Sequence, residues 1–271
     1  MPVQGVASTD DVEALRAEMR AADADLAMRL AALAGGGPEP PPPPPPPPAP
    51  SGFWLSGGSA NTNTQSESDR WGTWRGRPVT LCLCYNTRTA GWGAFLPNSG
   101  QPAAYTKQSY RLLLQTSPFP TNIGASYSAL ISGAYDAQWT QFGNILEQKD
   151  AAVGRLPTIV SVAWEMNGTY MPWGYGTGGG KYSSAAQYRQ GFQRIVNVLR
   201  AAYPGIKIAW VTNGHTNPVA ATDLYPGDAY LDYLGTDYYD HYPSAPNAVS
   251  FASEGNKVHA GIWWYLQMAR D

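Results

Sequence analysis

From Ser51 onward the chain alternates short apolar runs with longer segments whose apolar positions recur every three or four residues. The apolar runs are Phe53–Leu55, Val79–Tyr85, Arg111–Thr116, Thr158–Trp164, Ile206–Thr212 and Tyr230–Tyr238. The run from Thr158 is almost continuously apolar, the pattern of a parallel strand covered on both faces. Between the runs, Tyr135, Trp139, Phe142 and Leu146 mark one amphipathic helix. Tyr188, Phe192, Ile195 and Leu199 mark a second, closed by Pro204-Gly205. Strands alternating with helices predict an α/β fold. The leading architecture is a (β/α)8 barrel, with a doubly wound sheet as the other possibility. No GxGxxG loop follows a strand, so a dinucleotide site has no support.

Residues 1–34 follow a different rhythm. Val12, Leu15, Met19, Ala22, Leu26, Leu30 and Leu33 are spaced 3, 4, 3, 4, 4 and 3 apart, close to the 3.5-residue repeat of a coiled coil. Ser8, Thr9 and Asp10 offer a start cap, and the acidic first turn suits the positive end of the helix dipole. A lone helix of this length is marginal in water, so residues 10–34 are expected to self-associate. Gly35-Gly36-Gly37 ends the helix, and Pro40 to Pro48 is unbroken. Such a run adopts polyproline II at about 3.1 Å per residue and acts as a stiff spacer. The expected organisation is therefore a coiled-coil helix over 1–34, a polyproline linker over 35–52 and a barrel domain over 53–271.

Composition narrows the function. Charged residues make up 14% and the net charge is −2, which removes the clustered cationic footprint of a nucleic-acid binder. Ten Trp and seventeen Tyr supply flat apolar faces with polar tips, suited to sugar rings as well as to a core. The first residues lack the cationic and apolar regions of a secretory signal, and no stretch of 18 apolar residues predicts a membrane span. Cys82 and Cys84 alternate on one strand face and read as small core hydrophobes; a disulfide or a zinc site is not expected. His215 and His241, with Asp237 and Asp240, match no metal-ligand spacing, so neither a metal nor a cofactor is expected.

The candidate chemistry lies in VAWEMNGTYMPWGYG, Val162 to Gly176. Glu165 stands where the apolar strand ends, the position at which barrel enzymes place catalytic side chains. An aromatic setting that includes Trp164 and Trp173 disfavours a carboxylate anion, which suits a general acid. Asn167 is a candidate for hydrogen bonding to a sugar hydroxyl and Trp173 for a stacking wall.

The stretch WEMNGTYMPWGYG resembles the signature of glycoside hydrolase family 26. DLYPGDAYLDYLGTDYYD, Asp223 to Asp240, resembles that family's sixth-strand region, and IKIAWVTN, Ile206 to Asn213, its fifth strand. The likeness covers roughly residues 53–271. It implies a (β/α)8 barrel acting on or binding a β-linked polysaccharide, a cell-surface or capsular glycan. It also implies Glu165 as the acid/base of a retaining mechanism, with Trp164, Asn167, Trp173, Asn213, Asp237, Tyr238 and Tyr239 lining the substrate cleft. Family members usually carry His where this chain has Trp164, and Arg where Ser161 and Val162 stand. The family's nucleophile is a Glu on the seventh strand. YLQMARD, Tyr265 to Asp271, resembles the helix before that strand, so the seventh and eighth strands are expected to be missing. Glu254 reads as a helix-start residue, which leaves Asp237 as the remaining second carboxylate. The alternative is a glycan-binding or structural appendage protein at a virion surface, attached through the arm to an anchor protein. Either a further polypeptide completes the barrel, or the chain is an incomplete product, or the barrel has been remodelled.

Overall fold

The computed structural model describes residues 55–59, 64–97, 105–178, 180–215, 217–239 and 247–270. The expected coiled-coil arm, the expected polyproline linker and the first part of the Phe53–Leu55 run lie outside the described residues. Six parallel strands form one sheet in sequential order: β1 (Gly57–Gly58), β2 (Leu81–Tyr85), β3 (Arg111–Thr116), β4 (Ile159–Val162), β5 (Lys207–Asn213) and β6 (Tyr233–Asp237). The helices are α1 (Gln65–Trp74), α2 (Gly91–Phe95), α3 (Tyr127–Ser132), α4 (Asp136–Val153), α5 (Ala185–Ala202), α6 (Ala221–Leu224), α7 (Ala248–Gly255) and α8 (Ile262–Met268). The result is a parallel half-barrel, an α/β fold consistent with an incomplete (β/α)8 barrel.

The strands split their side chains between two faces. On β2, Cys82 and Cys84 are fully buried against the helical layer, while Leu81, Leu83 and Tyr85 turn to the concave face and are half-buried. The sheet curls enough for Arg111 on β3 to reach across that face. Its Nη1 donates to the Tyr233 hydroxyl on β6 at 3.1 Å, and its guanidinium lies 5.8 Å from the Tyr233 ring centre.

The first strand differs from the sequence expectation. The paired residues are Gly57 and Gly58, two positions beyond the apolar run. The reason is steric: a Cβ at Gly57 would stand 1.5 Å from the Leu81 carbonyl oxygen, so only glycine lets β1 approach β2 so closely. β1 and β6 each have one neighbouring strand among the described residues.

The outer layer is built mainly by α4 and α5. Trp139, Phe142 and Leu146 of α4 and Tyr188, Phe192, Ile195 and Leu199 of α5 are all buried, as their spacing predicts. Ser184 caps α5 by accepting from the Gln187 N–H, and left-handed Gly154 closes α4. Helices α1 and α3 carry no clear 3.6-residue stripe and were not expected. Glu254 lies in the last turn of α7, so it is not a helix-start residue: Asn247 caps that helix, and Glu254 pairs with Lys257 at 2.6 Å.

A buried polar cluster ties the helical layer to the N-terminal ends of the strands. Asp150, near the end of α4, accepts from Arg155 Nε at 2.8 Å and pairs with its Nη2 at 2.7 Å. It also accepts from Thr158 N at 2.8 Å, Thr158 Oγ1 at 3.0 Å and the Tyr203 hydroxyl at 3.1 Å. Arg155 Nη1 continues to the Tyr105 carbonyl at 2.8 Å. Both charged side chains are 2% exposed, and their charges are matched by hydrogen bonds, as burial requires.

Candidate active site

At the C-terminal end of β4 the backbone leaves the strand through two left-handed non-glycine residues, Ala163 and Glu165, each at φ 52°. This conformation costs on the order of 1–3 kcal/mol per residue and persists only where neighbours hold it. Here the neighbours are the flanking strands. The Ala163 N–H donates to Thr116 O on β3 at 2.8 Å, and the Glu165 N–H to Val211 O on β5 at 2.9 Å. β4 thus stays stitched on both sides beyond its regular part, and Glu165 is fixed at the mouth of the half-barrel.

Glu165 is 6% exposed. Asn213 Nδ2 at the end of β5 donates to its Oε1 at 3.0 Å. The orientation of that amide is determined by its other half. Asn213 Oδ1 already accepts from His215 N at 3.0 Å and Asn217 Nδ2 at 2.9 Å, so the NH2 group must face the carboxylate. The Asn213 backbone is held in turn by Asn167, whose Nδ2 donates to Asn213 O at 3.0 Å while its Oδ1 accepts from Asn213 N at 2.9 Å.

Asn167 and Trp173 therefore occupy places other than those the sequence suggests. Asn167 is fully buried and both ends of its amide are engaged by Asn213, so it positions the residue that holds Glu165. Trp173 is also fully buried; its Nε1 donates to Trp164 O at 2.9 Å, and its ring lies 4.4 Å from that of Trp164. Its faces pack inside the loop, which leaves no stacking wall for a sugar. Trp164, 5% exposed, meets Tyr85 edge-on at 5.7 Å. Two further tyrosines hold the loop from behind, Tyr182 through Met166 O at 2.8 Å and Tyr127 through Trp173 O at 3.1 Å.

Asp237 ends β6 in register with Asn213. Its carboxyl is pushed up to about 6, first by burial and then by the charge of Glu165, against a hydrogen bond from Gln115 that favours the anion. Tyr170 donates a hydrogen bond to Glu165, and its phenol is pushed up by burial, by the Glu165 charge and by that bond. The Tyr239 phenol is raised by burial, then by Asp237 and Glu165, and Tyr85 by burial and then by Asp237. Tyr238 stacks on His215 at 5.0 Å, and His215 Nε2 accepts the Tyr239 N–H at 3.2 Å, which pins the segment after β6. Glu165, Asn213, Asp237 and Tyr239 thus share one mouth, with Trp164 in its wall. Asn167, Trp173 and Tyr238 support it.

Four residues at this mouth were missed from sequence: Tyr85, Arg88, Gln115 and Tyr170. Gln115 carried a readable signal, a polar residue on the inward phase at the end of an apolar strand. Tyr85 continues the alternation of β2 onto the concave face. Arg88 and Tyr170 lie in irregular segments with no periodicity to orient them. The arrangement presents one carboxyl group positioned by an amide, a second carboxyl that holds its proton to higher pH, and phenol donors around both. That is equipment for moving protons to and from a polyhydroxylated ligand.

The sequence profile of glycosyl hydrolase family 26 matches residues 63–257. Among solved structures, the chain is similar to the Bacillus subtilis mannanase BCman (TM-score 0.53, 18% identity, covering 73% of this chain and 65% of that one). It is also similar to the Bacillus subtilis mannanase man26 (TM-score 0.52, 18% identity, 73% of this chain and 66% of that one). A third similar structure is the Bacillus subtilis YdhT protein (TM-score 0.52, 19% identity, 72% of this chain and 66% of that one). At such identities the likeness establishes the fold, and the chain spans about two thirds, 65–66%, of the length of these proteins.

Proposed function

Because the chain belongs to glycosyl hydrolase family 26, we propose that its mouth binds a β-linked polysaccharide and that Glu165 is the general acid for cleavage of the glycosidic bond. One observation carries this reading: Glu165 is buried at the end of β4, held in a left-handed backbone conformation and aimed by the Asn213 amide. A group so placed protonates the leaving oxygen while a nucleophile attacks the anomeric carbon, and in the second half-reaction it takes a proton from water.

A retaining reaction needs a second carboxylate about 5–5.5 Å from the first, acting as nucleophile. The resemblance that implies Glu165 as the acid/base gives Asp237, at the end of β6, no such role. We assign Asp237 to binding and to tuning the field around Glu165. The nucleophile would enter on strands that close the sheet between β6 and β1. The substrate class follows the similar mannanases, a β-mannan or related glycan.

The second reading is a glycan binder that does not cut. It is favoured by the mouth itself, where, among the described residues, Glu165 is the one glutamate at the strand ends.

The test is titration of β-1,4-mannohexaose into the chain and its Glu165→Gln variant, with release of reducing ends followed in parallel. Both proteins should bind. Cleavage should require polypeptide that supplies the closing strands, and Glu165→Gln should then lower turnover by about 10²–10⁴. Undiminished turnover by Glu165→Gln would overturn the acid assignment, and absence of binding by both would overturn a neutral β-mannan as the ligand.

A further inference from the structure

The loop after β2 places a cation at the mouth that the proposed chemistry does not use. Arg88 is exposed, and its guanidinium carbon stands 5.7 Å from the Trp164 ring centre and 5.5 Å from that of Trp173. Those rings belong to the loop that carries Glu165. The backbone under Arg88 is anchored too: its carbonyl accepts from Thr121 N at 2.7 Å and from Thr121 Oγ1 at 3.1 Å. Cation–π contact engages the charge through the ring faces and leaves the N–H groups of the guanidinium edge free to donate. Among the described residues Arg88 forms no ion pair, whereas Arg155, Arg194 and Arg200 each hold a carboxylate. The positive charge also reaches the mouth interior, where it partly offsets the rise of the Tyr85 phenol.

Resting on the proposed glycan cleft, we infer that Arg88 is a specificity residue for an acidic glycan, and that it docks the carboxylate of a hexuronate residue beside the bond that Glu165 protonates. A neutral mannan offers hydroxyls alone, and an isolated cation beside two carboxyl groups has no particular use for them. A sugar carboxylate matches the guanidinium edge in a planar, bidentate arrangement. It would otherwise be repelled by Glu165 and Asp237. Arg88 therefore gives the mouth a polarity, acidic over β4–β6 and basic over β2, that orients a charged sugar along the cleft.

The experiment compares two hexasaccharides that differ only in charge: β-1,4-hexamannuronate and the same molecule with its carboxyl groups reduced, which is β-1,4-mannohexaose. Each is titrated into the chain and into Arg88→Met, with folding of the variant checked by circular dichroism. The quantity read is the ratio of the two affinities within each protein. The chain should favour the uronate by about tenfold or more at about 20 mM salt, and the preference should shrink at about 500 mM as the charge is screened. Arg88→Met should bring the ratio close to one or reverse it. An equal ratio in both proteins, or a preference for the neutral sugar in the unaltered chain, overturns the inference and leaves the cleft standing. Failure of both sugars to bind overturns the cleft and the inference together.

Discussion

Asp150, at the N-terminal ends of the strands, receives four hydrogen bonds from Arg155, Thr158 and Tyr203, and pairs with the Arg155 guanidinium. At the C-terminal ends, the two carboxyl groups of the mouth, Glu165 buried and Asp237 half-buried, share far fewer. Glu165 accepts from Asn213 and Tyr170, and Asp237 is bonded by Gln115. All three side chains give up water, Asp237 only in part, but only Asp150 has a cationic partner that compensates for the loss. The contrast separates a carboxylate that holds the fold from carboxyl groups kept reactive. A saturated anion has no lone pair left for a ligand, whereas an under-saturated one is ready to exchange a proton or accept a sugar hydroxyl. The cost of the second condition falls on stability, and the stitched end of β4 is the structure that bears it.

Three substitutions sharpen or break this comparison. The largest effect is expected for Asp150→Ala, which strands the buried Arg155 guanidinium and should cost about 3–5 kcal/mol in urea unfolding. A loss below about 1 kcal/mol would show that the Asp150 cluster is no more structural than the mouth.

Asp237→Asn should act in the opposite direction and with pH dependence. The Asp237 carboxyl is raised to about 6 in the fold from an ordinary value of 3.8. The folded chain therefore binds more protons than the unfolded one in that interval, and stability falls as pH rises from about 4 to about 6. Above that window the penalty is complete, at most about 3 kcal/mol. Asp237→Asn removes it, so the variant should gain stability at pH 8 and little at pH 4. A gain of equal size at both pH values would refute the electrostatic origin.

Tyr170→Phe should change stability least, by under about 0.5 kcal/mol, because the ring is 57% exposed. Its loss should appear in glycan affinity or turnover, about three- to tenfold, as expected for one hydrogen bond to a charged group. A stability loss without a functional one would move Tyr170 to the structural side of the comparison.

The sequence disclosed most where periodicity constrains direction. The strand runs led to β2 through β6 within a few residues, because a parallel strand under a helical layer must be apolar on consecutive positions. Glu165 was found for the related reason that an apolar run ended on a carboxylate. Beyond it, direction was lost. Two left-handed residues within three positions turn the chain, so that Asn167 points to Asn213 and Trp173 folds under Trp164. Closeness in sequence to Glu165 therefore did not mean exposure to a ligand. The Asp150 cluster was equally hidden, since its partners come from two separate segments and hydrogen bonding leaves no repeat to read. β1 escaped because close approach to Leu81, and not apolarity, selects Gly57.

The sequential strand order has a consequence for how the chain is born. Each strand from β2 to β6 pairs with the one made just before it, so no strand has to wait for a partner synthesised much later. Domains form as the chain leaves the ribosome, at about 5–20 residues per second. Here the sheet can lengthen one strand–helix unit at a time, with the newest strand always the growing margin. Glu165 and Asn213 come together as soon as β5 docks, before Asp237 has been placed. The acid would be anchored while the rest of the mouth is still being synthesised.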